Sequence, residues 1–271
     1  MIVFPNCKIN LGLHIISRRP DNYHDLETVF YPINFTDALE IISSERNTNE
    51  FTVTGLNIGS DQTNLCYKAY HLLKNDFPGL PFIKMHLHKA IPVGAGLGGG
   101  SADAAFTLKL LNEKYLLGLS DEELKNYALW LGSDCPFFLY NEPCFASGRG
   151  EQLEPLHLSL SSYKLMLINP AFHIDTPWAF SQIKPATPKQ PIKEVIEQPI
   201  ETWKHALTND FEMPVFKKYP EIENIKQILY QSGALYASLT GSGSTVYGIF
   251  KSEVINVPIS NNYFIKIIDL K

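Results

Sequence analysis

A glycine-dense run, Pro92-Val93-Gly94-Ala95-Gly96-Leu97-Gly98-Gly99-Gly100-Ser101-Ala102, constrains this chain more than any other stretch, with five glycines in eleven positions. Glycine at that density means backbone that takes positive φ or passes close to another group. Upstream, Phe82 to His88 sets Ile83, Met85 and Leu87 against Lys84, His86 and His88, the alternation of a half-buried strand. Downstream, Ser101 to Leu117 places Ala105, Leu108, Leu111 and Tyr115 on one helical face and ends at Gly118. A glycine turn leading from strand to helix offers backbone N–H groups and the helix dipole to a phosphate. The plainer alternative is a pliable surface loop.

Known nucleotide patterns narrow this. No G-x-x-x-x-G-K-[ST] occurs in the chain. Gly94, Gly96 and Gly99 fit G-x-G-x-x-G, but a dinucleotide fold needs a second strand ending in an acidic residue about twenty positions on. That place holds helix and the Ser120–Glu123 capping box, so the Rossmann match is read as accidental.

Elsewhere, β-rich runs at Thr28–Asn34, Ala38–Ser43 and Glu50–Thr54 precede a first helix over about Asn64–Asp76, with Leu65, Ala69 and Leu72 on one face. After the capping box, a helix carries Leu124, Ala128 and Leu131 inward and stops at Gly132. The second half predicts a strand at Tyr163–Asn169, an N-cap at Thr176 before Pro177, and a loop over Lys184–Pro199. Two further helices follow, the clearer over Pro220–Ser232, then strands at Leu235–Leu239 and Thr245–Phe250. Strands come first, then helix, strand, helix, helix, which predicts an α+β fold rather than a doubly wound parallel sheet. The domain junction is expected near Glu151–His157, giving domains 1–155 and 156–271.

Composition excludes several classes. Of 271 residues, 45% are hydrophobic and 19% charged, which rules out a disordered chain. The net charge is −5 with no basic cluster, which argues against nucleic acid. The long uncharged stretch Gln227–Phe250 is half Gly, Ser, Thr or Gln, so no membrane span is expected. Lys8 interrupts the first apolar run and no secretory signal is apparent. Cys7, Cys66, Cys135 and Cys144 have neither C-x-x-C nor zinc-like spacing, so reduced thiols and a cytoplasmic protein are expected.

Chemistry needs more than a loop. Phosphoryl transfer uses a carboxylate to accept the proton of the attacking hydroxyl and a cation beside the transferred group. Asp134 follows the Gly132 break and precedes Pro136; taken alone it is either such a base or a helix cap. Lys8 lies in the apolar run Ile2–Ile16 and must face a polar cleft or a solvated edge. Tyr23-His24 reads either as a base-recognition pair or as a turn packing one aromatic ring. His86 and His88 share a strand face, but no third metal ligand is evident.

Taken together, Pro5-Asn6-Cys7-Lys8-Ile9-Asn10-Leu11, Asp21-Asn22-Tyr23-His24-Asp25-Leu26, the glycine run, Gly132-Ser133-Asp134-Cys135-Pro136-Phe137-Phe138, Asn209-Asp210-Phe211-Glu212 and Leu239-Thr240-Gly241-Ser242-Gly243-Ser244 resemble the GHMP kinase family. Within that family, Lys8 combined with Tyr23-His24 is similar to the kinases that act on a diphosphocytidyl polyol. The resemblance implies a two-domain α+β fold, with a ribosomal-protein-S5-domain-2-like ATP-binding N-terminal domain and an α/β-plait-like C-terminal one. It implies transfer of the ATP γ-phosphate to the 2-hydroxyl of the polyol in the non-mevalonate route to isoprenoids, giving ADP and the 2-phosphate. By position, Asp134 would be the base and Lys8 would orient it and stabilise charge. Pro92, Val93, Gly94, Ala95, Gly96, Leu97, Gly98, Gly99, Gly100, Ser101 and Ala102 would wrap the ATP phosphates. Tyr23 and Phe180 would stack on cytosine, His24 would bond its edge, and Asn10 and Thr176 would line the polyol and diphosphate. Mg²⁺ is expected with ATP, its protein ligand unassigned beyond Ser101 as a candidate. The assembly would be a monomer or a homodimer. The alternatives are a GHMP kinase for homoserine, a sugar or mevalonate, or a non-catalytic nucleotide-binding protein.

The chain departs from the family pattern at a few places. Asn22 stands where relatives have Gly, and Asn is the side chain that best tolerates left-handed backbone. Cys7, Ser133 and Cys135 replace small apolar residues. After Phe250, the stretch to Lys271, broken by Pro258, leaves little room for a closing helix and strand.

Overall fold

The structure is a computed structural model and describes residues 1–56, 63–251 and 257–270. Chain order opens with β1 (Ile2–Val3), β2 (Asn6–Arg18), β3 (His24–Thr36), β4 (Ala38–Ser43) and β5 (Glu50–Gly55). Next come α1 (Leu65–Asp76), β6 (Ile83–Lys89), α2 (Gly99–Tyr115), α3 (Asp121–Leu131) and α4 (Cys135–Tyr140). Then β7 (Cys144–Ser147), β8 (Gln152–Pro155), β9 (Lys164–Asn169) and α5 (Thr176–Ser181) lead into α6 (Ile192–Ile196), α7 (Ile200–Ala206), α8 (Glu212–Lys218) and α9 (Pro220–Gln231). The order ends with β10 (Tyr236–Leu239), β11 (Val246–Phe250) and β12 (Phe264–Asp269). Two compact units result, neither of them a single continuous segment.

Unit 1 comprises Met1–Cys7, Phe35–Val93 and Gly98–Asn141. Its sheet runs β1-β4-β6-β5, with β4 antiparallel and β5 parallel to β6. The strand alternation turns Leu39, Ile41, Met85 and Leu87 onto one face, where they pack on Tyr70 and Leu73 of α1, Leu108 and Leu111 of α2, and Leu124 and Ala128 of α3. Local signals set the helix starts: Asn64 accepts the Cys66 N–H at 2.9 Å, and the Ser120–Glu123 capping box forms in both directions.

At the end of β6, the ammonium of Lys89 lies between two carboxylates, donating to Asp37 and, at 2.6 Å, to Asp103 of α2. All three side chains are sealed from water. The other oxygen of Asp37 accepts the N–H groups of Ala90 (2.6 Å) and Ile91 (2.9 Å). Lys89 thus ties the strand end to the first turns of α2. Gly99 is glycine for the same reason: a Cβ there would stand 2.9 Å from Ile91 Cγ2 and 3.2 Å from Lys89 Nζ. Burial works to lower the Lys89 pKa, but its two carboxylates outweigh it and the net direction is up.

Unit 2 comprises Lys8–Asn34, Gly94–Leu97 and Glu142–Lys271. It holds the sheet β2-β3-β7-β8 and the sheet β10-β11-β9-β12, whose paired neighbours are antiparallel. A buried cluster joins Leu13 and Ile15 of β2 to Met166 and Ile168 of β9, Phe211, Val215 of α8, and Ile222, Ile225 and Leu229 of α9.

The mixed sheets agree with the α+β expectation. Differences lie at helix ends. Asp175, not Thr176, caps α5, accepting the Trp178 N–H at 2.7 Å; Thr176 is the first helical residue. The loop expected over Lys184–Pro199 contains α6, and three helices rather than two follow Pro199. Pro191 and Pro199 are themselves the N-caps of α6 and α7. Proline is tolerated where a helix begins, because the first N–H groups have no intrahelical partner anyway. Here the prolines mark starts, not breaks. α2 begins at Gly99 and ends at Tyr115, with Leu116 taking the left-handed cap conformation ahead of Gly118. Beyond Phe250 there is room for a strand, β12, paired with β9; residues 252–256 lie outside the described residues.

Two outcomes follow for the Lys89 cluster. Lys89→Met strands two buried carboxylates and should cost about 3–5 kcal/mol in urea unfolding; a loss under about 1 kcal/mol would show the cluster holds nothing together. Burial, against the pull of Lys89 and with Asp37 adding to it, pushes the Asp103 carboxyl up to about 7. The folded state then binds a proton that the unfolded chain, with a carboxyl near about 4, has released. Stability from this group is therefore full below about pH 4 and is lost as pH rises towards 7. Thermal melts of the wild type and Asp103→Asn between about pH 5 and pH 8 should converge at the acid end and diverge at the alkaline end. Parallel curves would mean Asp103 is ionised throughout.

Candidate active site

Strand β2 is buried on both faces. Its odd positions, Cys7, Ile9, Leu11, Leu13 and Ile15, are apolar core, while Lys8, Asn10 and His14 form a buried polar row on the other side. Lys8 therefore faces a polar interior and not a solvated edge. Within unit 2 its ammonium donates to Asn10 Oδ1 at 2.6 Å and to the Gly96 carbonyl at 3.0 Å, and sits 5.1 Å from the centre of the Phe30 ring. Asn10 is occupied on both ends: Oδ1 also accepts from Gly241 N (2.9 Å) and Thr240 Oγ1 (3.2 Å), and Nδ2 donates to Thr28 Oγ1 (2.9 Å). Further along the row, His14 Nδ1 meets Asp210 Oδ1 at 3.0 Å.

The glycine run divides between the units. Gly94–Leu97 belongs to unit 2, where Lys8 N–H donates to the Leu97 carbonyl at 3.0 Å and Thr245 N–H to Ala95 at 3.2 Å. Gly96, at φ 79°, passes so close to residue 240 that a Cβ would fall inside the Thr240 carbonyl. No other residue fits there. Pro92, Val93 and Gly98–Ala102 belong to unit 1, where Gly98 opens α2 at φ 71° and the first-turn N–H groups of Gly99, Gly100 and Ser101 precede any intrahelical acceptor. The loop is thus fixed by specific contacts at both ends and is not merely pliable.

Asp134, also in unit 1, is the N-cap residue of α4, yet its carboxylate makes no cap bond to that helix. The helix itself was not anticipated, because a six-residue element is too short to show a period. Ser101 and Asp134 both border the buried thiol of Cys135, which burial pushes up to about 12, Asp134 adding to the rise and the Ser101 hydrogen bond opposing it. All four cysteines are buried and no disulfide joins them.

A second group of predicted residues gathers inside unit 2. The turn before β3 has Asn22 at φ 68°, the left-handed geometry that Asn tolerates best among side chains. Arg19 braces the turn, reaching Asp21 at 3.0 Å and Asp25 at 2.9 Å, and Asp21 accepts the Tyr23 N–H at 3.1 Å. Tyr23 is 52% exposed. His24 stacks on Phe180 of α5 with ring centres 4.9 Å apart, and Phe180 in turn meets Phe211 edge-on. Burial, then the charge of Arg18, lowers the His24 pKa, so the ring is neutral near pH 7 and offers one donor and one acceptor. Thr176 is exposed, its hydroxyl 3.1 Å from Ser242 Oγ.

The Leu239–Ser244 segment carries no task that its sequence alone reveals. In the structure Thr240 bonds both Asn10 and Gly96, and Gly241 N–H donates to Asn10, so this loop holds the partners of the Lys8 side chain in place. Two glycines flanking small hydroxyl residues were the available signal. His86 and His88 both hydrogen-bond Thr54, at 2.9 and 3.0 Å. Among the described residues no three His, Cys, Asp or Glu side chains are grouped to hold a metal, and no helix is long and apolar enough to cross a membrane.

Comparison with known proteins identifies the family. The family model described as GHMP kinases N terminal domain matches residues 64–142, and GHMP kinases C terminal matches residues 192–257. A Bacteroides fragilis protein named 4-diphosphocytidyl-2-C-methyl-D-erythritol kinase is 54% identical over 93% of each chain, and a Salinibacter ruber protein of the same name is 39% identical over 90% of this chain and 88% of its own. A crystal structure of 4-(cytidine 5'-diphospho)-2C-methyl-D-erythritol kinase superposes with a TM-score of 0.79 at 31% identity, covering 92% of this chain and 89% of that one. With a buried lysine set against a glycine loop and relatives this close over nearly the whole length, the chain belongs to the GHMP kinase family, among the 4-diphosphocytidyl-2-C-methyl-D-erythritol kinases, and is an ATP-dependent kinase.

Proposed function

We propose that the chain phosphorylates the 2-hydroxyl of 4-diphosphocytidyl-2-C-methyl-D-erythritol with ATP, releasing ADP and the 2-phosphate, as a cytoplasmic step of the non-mevalonate route to isoprenoid precursors. The observation that carries this is 54% identity over 93% of the chain to a kinase of that name. Tyr23, His24 and Phe180 add support, because these three rings lie in one unit as a cytidine site would require. The family segments 64–142 and 192–257 fall on either side of residue 155, which supports domains 1–155 and 156–271 as sequence segments, although residues 8–34, 94–97 and 142–155 pack into unit 2.

Each residue then has a task. Asp134 takes the proton of the substrate hydroxyl as its oxygen attacks the γ-phosphorus and the bond to the bridging β,γ-oxygen breaks. Lys8, directed by Asn10 and Gly96, stabilises the negative charge that develops. Residues Pro92–Ala102 cradle the ATP phosphates with backbone N–H groups, most directly those opening α2. Tyr23 and Phe180 supply flat apolar surface for cytosine, and neutral His24 bonds its edge. Asn10 serves the site chiefly through Lys8, and Thr176 presents its hydroxyl to the diphosphate end.

Among the described residues no three His, Cys, Asp or Glu side chains form a cage for Mg²⁺, so the ion would be held mainly by nucleotide phosphates and water, with the Ser101 hydroxyl beside Cys135 as a protein oxygen within the loop. Bound there it would neutralise phosphate charge.

Purified protein given ATP, Mg²⁺ and separate alcohols should phosphorylate the cytidine diphosphate polyol and leave homoserine, mevalonate and sugars unchanged. Equal turnover of any of these would overturn the specificity. Asp134→Ala should lower kcat by about 10²–10⁴-fold, and near-normal single-turnover rates would remove it as the base. His24→Ala should raise KM for the cytidine substrate roughly tenfold, the worth of one hydrogen bond of about 1.5 kcal/mol, with KM for ATP unmoved. Burial, then Arg18, lowers the His24 pKa, so in the wild type any rise of that KM with acid should be centred below about 6.5; a rise centred at or above that pH would contradict the lowered value.

A further inference from the structure

We propose that Arg149 is a positioning residue for base recognition: its guanidinium backs one face of the Tyr23 ring and holds the other face ready for a pyrimidine. This rests on the reading that Tyr23 stacks on the cytidine of the substrate. The two residues come from different places in unit 2. Tyr23 precedes β3, and Arg149 sits in the turn between β7 and β8, with its guanidinium carbon 4.7 Å from the centre of the Tyr23 ring.

Both partners are themselves held. The β7–β8 turn closes through Gly150 N–H to the Ser147 carbonyl at 3.1 Å, and it is tied to β3 by Leu26 N–H donating to the Gly148 carbonyl at 2.7 Å. Glu151 accepts the Arg149 backbone N–H at 2.6 Å and lies 3.7 Å from its guanidinium. On the other side, Tyr23 is clasped by Arg19, whose N–H donates to the Tyr23 carbonyl at 2.9 Å, and by Asp21. A half-exposed tyrosine otherwise divides its time among rotamers, and ordering it on binding costs affinity. Arginine suits the task because its guanidinium is flat, lies against an aromatic face and keeps its charge at any working pH. Lysine has the charge without the plane.

The test is steady-state kinetics with ATP and the cytidine diphosphate polyol, together with calorimetric titration of cytidine 5'-diphosphate as the binding probe. Arg149→Met should raise KM for the polyol and Kd for the probe by roughly 3- to 30-fold, the range of a cation–π contact, with kcat and KM for ATP within about twofold of the wild type. Arg149→Lys should recover part of the loss. In a Tyr23→Ala background, Arg149→Met should add nothing, because its effect passes through the ring. Full additivity of the two substitutions, or a parallel decline of kcat and ATP affinity in Arg149→Met, overturns the proposal. So does unchanged polyol KM in Arg149→Met while Tyr23→Ala raises it, a result that leaves the cytidine reading intact. If Tyr23→Ala also changes nothing, the cytidine reading falls together with the proposal.

Discussion

One ammonium sealed between two carboxylates, Lys89 with Asp37 and Asp103, sets the geometry of unit 1 at the place where the glycine run begins and ends. Charges kept from water are tolerated only when each is paired and hydrogen-bonded. Here the pairing links three separate pieces of chain: the residue before β4, the end of β6 and the first turns of α2. Asp37 also accepts the Ala90 and Ile91 N–H groups as the strand runs out, so the backbone leaves β6 in one direction only. The start of α2 is thereby anchored from beneath.

A related economy governs unit 2. Because a strand alternates its side chains, β2 can be core on one face and a polar row on the other, and burial on both faces makes each polar group on that row find a partner. Lys8 is directed by Asn10 and Gly96, Asn10 by Thr240 and Gly241, and Gly96 must be glycine because the Thr240 carbonyl occupies the space of a side chain. Disturbing the Leu239–Ser244 loop would therefore reach Lys8 without touching it. That dependence is a matter of positioning, and it distinguishes the loop from residues that meet substrate themselves.

Much of this was legible beforehand. The alternation of residues 83–88, the helical faces of α2 and α3 and the capping box at Ser120 all read correctly, because strand and helix periods and cap chemistry are local; the face expected for α1, Leu65, Ala69 and Leu72, is turned by about one residue, and Cys66, Ala69, Tyr70 and Leu73 are the buried ones. The short elements were not legible: α4 and α6 span six and five residues, less than two turns, and the prolines between Lys184 and Pro199 suggested a loop although Pro191 and Pro199 stand at helix starts. Among site residues, Lys8 stood out as a charge in an apolar run and Asn22 as a tolerable substitute for glycine. Thr240 and Arg149 did not, since neither residue type in its own neighbourhood points to a partner.

Sequence by itself therefore determined the strands and longer helices, the α+β order and the glycine turn ahead of α2, each resting on contacts between residues a few positions apart. Tertiary structure alone decided who meets whom. Lys8 reaches Gly96 across 88 positions and Asn10 reaches Thr240 across 230, and no local period carries that information. Only when the sheets have closed and water has been expelled does a buried donor have to find its acceptor, and that requirement selects the partners.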